Sequence, residues 1–198
     1  MSELNENDYS KMFEDCGAVQ KGHFVYTSGR HGEYYVNKDM VIAHPLLLSK
    51  LCRRIARHFS DQGIEIVVAP AVGGVALTQW VAYMLSEGRG EVLAAYAEKD
   101  GDKLVFKRQY DKLIPDRKVL LLEDIVTTGG SLQKLMEAVH DFGGRIAGAA
   151  LLWNRGGIEF EMPVFSLVNK QFVSWAPAEC PLCQENVPIN NDLGHGKK

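Results

Sequence analysis

Two adjacent carboxylates, Glu123 and Asp124, close the apolar run Val119-Leu120-Leu121-Leu122 and lead into Ile125-Val126-Thr127-Thr128-Gly129-Gly130-Ser131. Burying an unpaired charge is costly, so packing alone does not account for two acids at the end of a buried run. The residues that follow are small, hydroxylated or glycine, and they open a helix predicted over residues 131–142. Backbone N–H groups at such a helix start, with the helix dipole behind them, form a cradle for phosphate. Threonine and serine hydroxyls add donors to the same anion, and the carboxylates upstream can accept hydrogen bonds from sugar hydroxyls. The combination suits a ribose 5-phosphate. The plainer alternative is a strand end with solvated acids and a Ser/Thr turn that caps a helix. The order of the run favours the ligand site. It is not a Walker A loop, because no Gly-Lys-Ser/Thr follows. Nor is it a dinucleotide fingerprint, because no G-x-G-x-x-G follows a strand.

An acid pair and a phosphate nest need a rigid sheet edge to hold them, and the chain supplies one. Short apolar runs at residues 64–69, 92–96, 118–122, 145–153 and 163–168 alternate with amphipathic segments at 74–85 and 131–142. Continuous apolar strands separated by helices indicate a parallel sheet covered on both faces. The fold class is α/β, doubly wound, with a mainly parallel central sheet flanked by helices. Ligands on such sheets bind beyond the carboxyl ends of the strands, which directs attention to the residues after Ala69, Tyr96, Leu122 and Trp153. Upstream, residues 9–16 read as a short helix with Asp8 as N-cap. Extended pieces at 23–26 and 33–36 flank a turn at Ser28-Gly29. Pro45 opens a helix whose Leu47, Leu51, Ile55 and Phe59 recur every four residues and define a buried face, up to Gly63.

With 198 residues, the chain is long enough to bury a core without disulfides or metals. Lysine and arginine number 22 against 25 acids, a net charge of −3, which argues against a nucleic-acid partner. No run approaches the ~20 apolar residues of a membrane span. The first residues lack a basic start followed by an apolar stretch, so no signal peptide is expected. Four cysteines without an export signal point to free thiols and a cytoplasmic location.

The segment from Glu123 to Ser131 resembles the phosphoribosyl-pyrophosphate motif of the type I phosphoribosyltransferases. Resemblance to the orotate branch of that family extends over residues 22–188, on three further segments. Gly22-His23-Phe24-Val25-Tyr26-Thr27-Ser28-Gly29-Arg30-His31 is similar to the family's amino-terminal Phe-x-x-x-Ser-Gly-Arg stretch at the base pocket; by itself it reads as a β-turn. Ala69-Pro70-Ala71-Val72-Gly73-Gly74-Val75 resembles the loop that lies against pyrophosphate, with Gly73 where many relatives carry lysine. Asn154-Arg155-Gly156 resembles the Asp-Arg segment, whose arginine meets the carboxylate of orotate through a guanidinium fork.

The resemblance implies roles. Glu123 and Asp124 hold the ribose hydroxyls. Ile125, Val126, Thr127, Thr128, Gly129, Gly130 and Ser131 hold the 5′-phosphate. Val72 and Gly73 lie at the pyrophosphate, and Thr127, Tyr35 and Arg155 contact orotate. Lys99 and Asp124 are the catalytic pair. Lys99 sits in the charge-rich stretch of residues 97–108, which matches the family's mobile loop over a neighbouring subunit's site. The arginine usual before that lysine is Glu98 here, and Lys103, Lys107 or Arg108 supplies the missing charge. Read without the resemblance, this stretch is an exposed hairpin.

The reaction implied is transfer of ribose 5-phosphate from phosphoribosyl pyrophosphate to orotate, giving orotidine 5′-monophosphate and pyrophosphate in pyrimidine synthesis. Mg²⁺ takes part, bound mainly through substrate and water, and the protein is a homodimer. A purine or another pyrimidine as the base, or a regulator that only senses the donor, are the competing readings. Residues 1–188 form one domain, with 1–45 contributing to a base-binding hood and 189–198 a disordered tail. Cys180 and Cys183 form a single C-x-x-C, short of the four ligands a zinc site takes. Cys16, Cys52 and His195 are candidates for the remainder, and the alternative is a structural corner.

Overall fold

The computed structural model describes residues 4–26 and 28–193. His195 and the expected disordered end from 194 onward lie outside the described residues, as does Thr27 of the turn segment. The chain runs through α1 (Glu6–Asp15), a hairpin of β1 (Val19–Val25) and β2 (His31–Val36), α2 (Lys38–Ile42) and α3 (Pro45–His58). It continues through β3 (Ile66–Pro70), α4 (Gly74–Ser86), β4 (Leu93–Asp100), β5 (Lys103–Val105), β6 (Lys118–Val126), α5 (Gly130–Asp141), β7 (Arg145–Asn154) and β8 (Val164–Val168). The last elements are β9 (Ser174–Trp175) and α6 (Pro181–Gln184).

Six strands form the central sheet in the order β5-β4-β3-β6-β7-β8. All neighbours are parallel except the β4–β5 hairpin. The period of two along each strand divides the core into two layers. Val67, Ala69, Leu120, Leu122, Ala150 and Leu152 join the cluster that takes in Leu51, Ile55 and Leu77 from α3 and α4. Ile66, Val68, Val119, Leu121, Ala149 and Leu151 join the cluster holding Leu132 and Leu135 of α5. Each fully buried Val, Leu or Ile contributes about 1.5–3 kcal/mol, so the apolar runs are consistent only with a sheet covered on both faces.

The path leaves β3 for β4 on one side and returns past β3 to β6 on the other. A crevice therefore opens between the carboxyl ends of β3 and β6, the switch point at which such sheets bind ligands. A second, three-stranded sheet, β1-β2-β9, stands apart from the central one. Its outer strand β9 comes from the far end of the chain, through the antiparallel pairs His31↔Trp175 and Gly32↔Ser174. α1 packs with the main core, where Phe13 meets Trp153 edge-on at 5.0 Å between ring centroids. The helix is capped by Asn5 and not by Asp8. The Asn5 side chain accepts from the Asn7 and Asp8 amides, and Asp8 accepts from the Asn5 amide, a reciprocal capping box. Residues 189 and 190 make backbone contacts: Ile189 bridges to His23, and the Asn190 amide donates to the His23 carbonyl at 2.7 Å.

Candidate active site

β6 runs four residues beyond the expected run and carries both acids inside it, paired with β7 through Glu123↔Leu151 and Ile125↔Trp153. Successive side chains leave a strand on opposite faces. Asp124 is reached by Lys38 of α2, whose Nζ lies 3.0 Å from Oδ2. Burial opposes the Lys38 charge, but Asp124, with Asp39 and Glu123, outweighs it and raises the lysine pKa above its ordinary value. Glu123 has no such partner. Its Oε2 and Ser10 Oγ are the two buried side-chain polar atoms without a hydrogen-bond partner among the described residues. Burial and the neighbouring Asp124 charge push the Glu123 carboxyl up to about 8. A buried polar oxygen with nothing to bind is expensive, and here it belongs to a residue that lines a cavity.

That cavity, about 670 Å³, is lined by Pro70 at the end of β3, by Ala71 and Gly73 beyond it, and by every residue from Glu123 to Ser131. Gly129 is the N-cap of α5, with φ +77°, a left-handed conformation that glycine adopts at little cost. It offers no side-chain acceptor, so the first-turn amides of α5 are left for a ligand. Gly73 has an ordinary φ of −59°, and its requirement is spatial. A Cβ there would overlap Asp124 Oδ2 and Lys38 Nζ. Glycine at this position thus makes room for Lys38, arriving from α2. Lys99, Lys103 and Lys134 also line this cavity. Of Lys103, Lys107 and Arg108, Lys103 lines this cavity, Lys107 does not, and Arg108 is held by Glu98 at 2.9 Å. Val72 is not among the lining residues, and it is 85% exposed.

A second cavity of about 440 Å³ adjoins the first and shares Lys38, Asp124, Ile125, Thr127 and Thr128 with it. Its other walls include Tyr26, Ser28, Tyr35 and Arg155. The Arg155 amide donates to the Val126 carbonyl at 2.8 Å, which ties the loop after β7 to the end of β6. Asn154, where the family has an acid, clasps this loop: its Nδ2 donates to the Ile158 carbonyl at 3.2 Å. The guanidinium lies 4.2 Å from the Tyr26 ring centroid and 5.5 Å from that of Phe172, and it donates to the Tyr34 carbonyl at 3.1 Å. Burial lowers the Arg155 pKa, with Tyr26 and Tyr35 opposing. Arginine stays charged regardless. The Tyr26 hydroxyl, its pKa raised by burial, donates to the Tyr34 carbonyl at 2.6 Å. The cavity offers aromatic walls and a cation, the chemistry that suits a flat, anionic molecule.

The sequence-derived set therefore converges, apart from Val72. Lys38 and Tyr26 were not assigned from sequence. Lys38 stands in the polar run Asn37-Lys38-Asp39 at the start of a five-residue helix, and Asn37 caps that helix; only the helix-start signature could have drawn attention to it. The cysteines are arranged differently from expectation. Cys52 is buried in α3, with its thiol pushed up to about 12 by burial. Cys180 and Cys183 meet His23 and His31 instead of Cys16 or Cys52.

A phosphate nest, a buried acid pair and an arginine-bearing aromatic pocket, joined at the switch point of a doubly wound sheet, define a site for a sugar phosphate and a second planar partner. Residues 38–177 match the model of the phosphoribosyl transferase domain, and the chain belongs to the phosphoribosyltransferase family. It is similar to the orotate phosphoribosyltransferase of Chlorobaculum parvum, 39% identical over 189 residues, 94% of this chain and 95% of the relative. It is also similar to that of Pelotomaculum thermopropionicum, 35% identical over 187 residues, 93% of this chain and 95% of the relative. Among solved structures it shares the fold of Mycobacterium tuberculosis orotate phosphoribosyltransferase. The TM-score is 0.65 at 22% identity, covering 81% of this chain and 95% of that one. Adenine phosphoribosyltransferase from Saccharomyces cerevisiae has the same fold at a TM-score of 0.61 and 20% identity, with 82% and 99% covered.

Proposed function

We propose that this chain is an orotate phosphoribosyltransferase, joining orotate to the ribose 5-phosphate of phosphoribosyl pyrophosphate and releasing pyrophosphate. The observation that carries the reading is the pair of adjoining cavities that share Asp124, Lys38 and Thr127, one ending at the α5 nest and the other at Arg155. The curated relatives point the same way. The fold alone does not choose the base, since adenine and orotate enzymes share it.

In this reading the α5 amides and the Thr127, Thr128 and Ser131 hydroxyls hold the 5′-phosphate. Glu123 and Asp124 accept hydrogen bonds from the ribose hydroxyls, which gives the partnerless Glu123 oxygen a donor. Arg155 grips the orotate carboxylate, with Tyr26 and Tyr35 beside the ring. As pyrophosphate leaves, positive charge develops on the anomeric carbon and ring oxygen, and no protein nucleophile is required. The protein aligns the attacking nitrogen and excludes water. Lys99 and Lys103 at the cavity rim, with Lys38 beside Gly73, neutralise the leaving group. Glu123 and Asp124 are hard oxygen donors at the cavity, of the kind Mg²⁺ accepts. Bound there mainly through substrate and water, a Mg²⁺ ion would supply further positive charge as the leaving group departs. The reading includes a homodimer and a cytoplasmic location. Family membership supports the first. For the second, no helix among the described residues is long and apolar enough to cross a membrane.

Arg155→Ala tests the base assignment. Losing one partner of a buried charge-assisted pair costs about 2–5 kcal/mol, so orotate affinity should fall well over tenfold while phosphoribosyl pyrophosphate affinity is retained. Arg155→Lys should recover only part, because an ammonium cannot make the two-pronged contact. Calorimetric titration of each ligand separately reads both effects. Unchanged orotate affinity in Arg155→Ala would contradict the assignment.

A further inference from the structure

One cluster of ligating side chains plays no part in either cavity. His23 of β1, His31 of β2, and Cys180 and Cys183 at the start of α6 present four ligand atoms within 4.8 Å of one another, and all but Cys183 are buried. His23 Nε2 lies 2.8 Å from His31 Nδ1, 3.6 Å from Cys180 Sγ and 3.7 Å from Cys183 Sγ; Cys183 Sγ is 3.3 Å from His31 Nδ1. A tetrahedron built on ordinary Zn–S and Zn–N bonds has edges of about 3.3–3.8 Å. Three of these four distances already have that length, and the His–His one is shorter. None of the four lines the donor or the base cavity.

The surroundings match what a metal ligand needs. His23 Nδ1 lies 2.7 Å from the Val187 carbonyl. Donating there fixes the tautomer and turns the Nε2 lone pair toward the cluster, the usual outer-shell arrangement of a metal-bound histidine. The Asn190 amide and the Ile189 bridge grip the backbone of His23. A packed corner of thiols and imidazoles without an ion is the competing account. It leaves two thiols and two ring nitrogens converging on one point with little but one another to bond.

We propose that His23, His31, Cys180 and Cys183 form a structural Zn²⁺ site, closed and tetrahedral. Two thiolates and two imidazoles are the donor set that Zn²⁺ prefers, and harder ions such as Mg²⁺ do not. Binding converts the two thiols to thiolates, releases their protons and changes no oxidation state. The site clips residues 180–190 onto the β1–β2 hairpin, whose Tyr26 and Tyr35 neighbours wall the base cavity. The ion therefore fastens the hood from the chain's far end. This inference does not depend on which base the enzyme uses.

The test uses the full chain without a histidine tag, purified under reducing conditions. Elemental analysis should give about one Zn²⁺ per chain. Replacement by Co²⁺ should give the visible bands of tetrahedral cobalt with a thiolate charge-transfer band in the near ultraviolet. Cys180→Ser/Cys183→Ser should drop the zinc content below about a tenth of an equivalent, and Cys16→Ser should leave it unchanged. Should the double variant not fold, the cobalt spectrum of the wild-type chain still decides. Less than about a tenth of an equivalent after reconstitution with zinc, a cobalt spectrum without the thiolate band, or a Cys180–Cys183 disulfide in the reduced preparation overturns the proposal.

Discussion

At the scale of single residues, the site depends on two neighbouring acids being treated differently. Asp124 has Lys38, whereas Glu123 is buried with an oxygen that nothing satisfies. This asymmetry makes a prediction about pH. Glu123 titrates at about 8 in the folded protein against an ordinary 4.5, so the folded state keeps a proton that the unfolded chain gives up. Below the unfolded value both states are protonated and there is no penalty. Between the two values the penalty grows with pH, and above about 8 it is complete. Glu123→Gln should therefore melt higher than wild type at pH 8–9, by at most about 5 kcal/mol in stability, and equal it near pH 4, while binding phosphoribosyl pyrophosphate less well. Thermal melts across pH read the first effect, and an advantage independent of pH would contradict it. The acids were legible because two charges closing an apolar run have no packing explanation. Lys38 was not, since its partner lies far along the sequence and only folding brings the two together.

At the scale of elements, the strands were the clearest part, because a strand covered on both faces must be apolar throughout and β3 is buried at every position. The ends were less clear. β6 extends through the acids because pairing with β7 continues past the apolar run, a long-range bond that no local pattern announces. α2 is a single short turn region, and β9 is a two-residue strand that exists only as a partner for β2. In the loop after β3 the structure gives Gly73 a specific reason, the Lys38–Asp124 pair crossing over it. Gly73→Ala should therefore displace that pair without backbone strain. We expect a stability loss of about 1–3 kcal/mol and donor affinity down about tenfold, on the order of 1.4 kcal/mol, with orotate binding less affected. Donor titration checks this, and wild-type affinity in the alanine variant would remove the spatial argument.

At the scale of the whole molecule, the two ends of the chain meet in the hood, with β9 closing the β1–β2 sheet and residues 187–190 holding His23. In the proposed reading the hood thus draws on residues 174–190 as well as on residues within 1–45. The β4–β5 hairpin borders the donor cavity with exposed Lys99 and Lys103, and in the proposed homodimer the partner is a second copy of the chain. Sedimentation should find a species of twice the 22.0 kDa chain mass. Mixed Lys99→Ala and Asp124→Asn subunits should regain part of the activity each lacks alone, and a fully active monomer would exclude shared sites. The central claim is the transfer itself, and it is read most directly from the loss of orotate absorbance on adding phosphoribosyl pyrophosphate with Mg²⁺. The account predicts that absorbance falls as pyrophosphate appears in equal amount, that omitting the metal slows it strongly, and that uracil and adenine are not consumed in place of orotate. No loss of orotate, with rapid consumption of uracil or adenine under the same conditions, would contradict it.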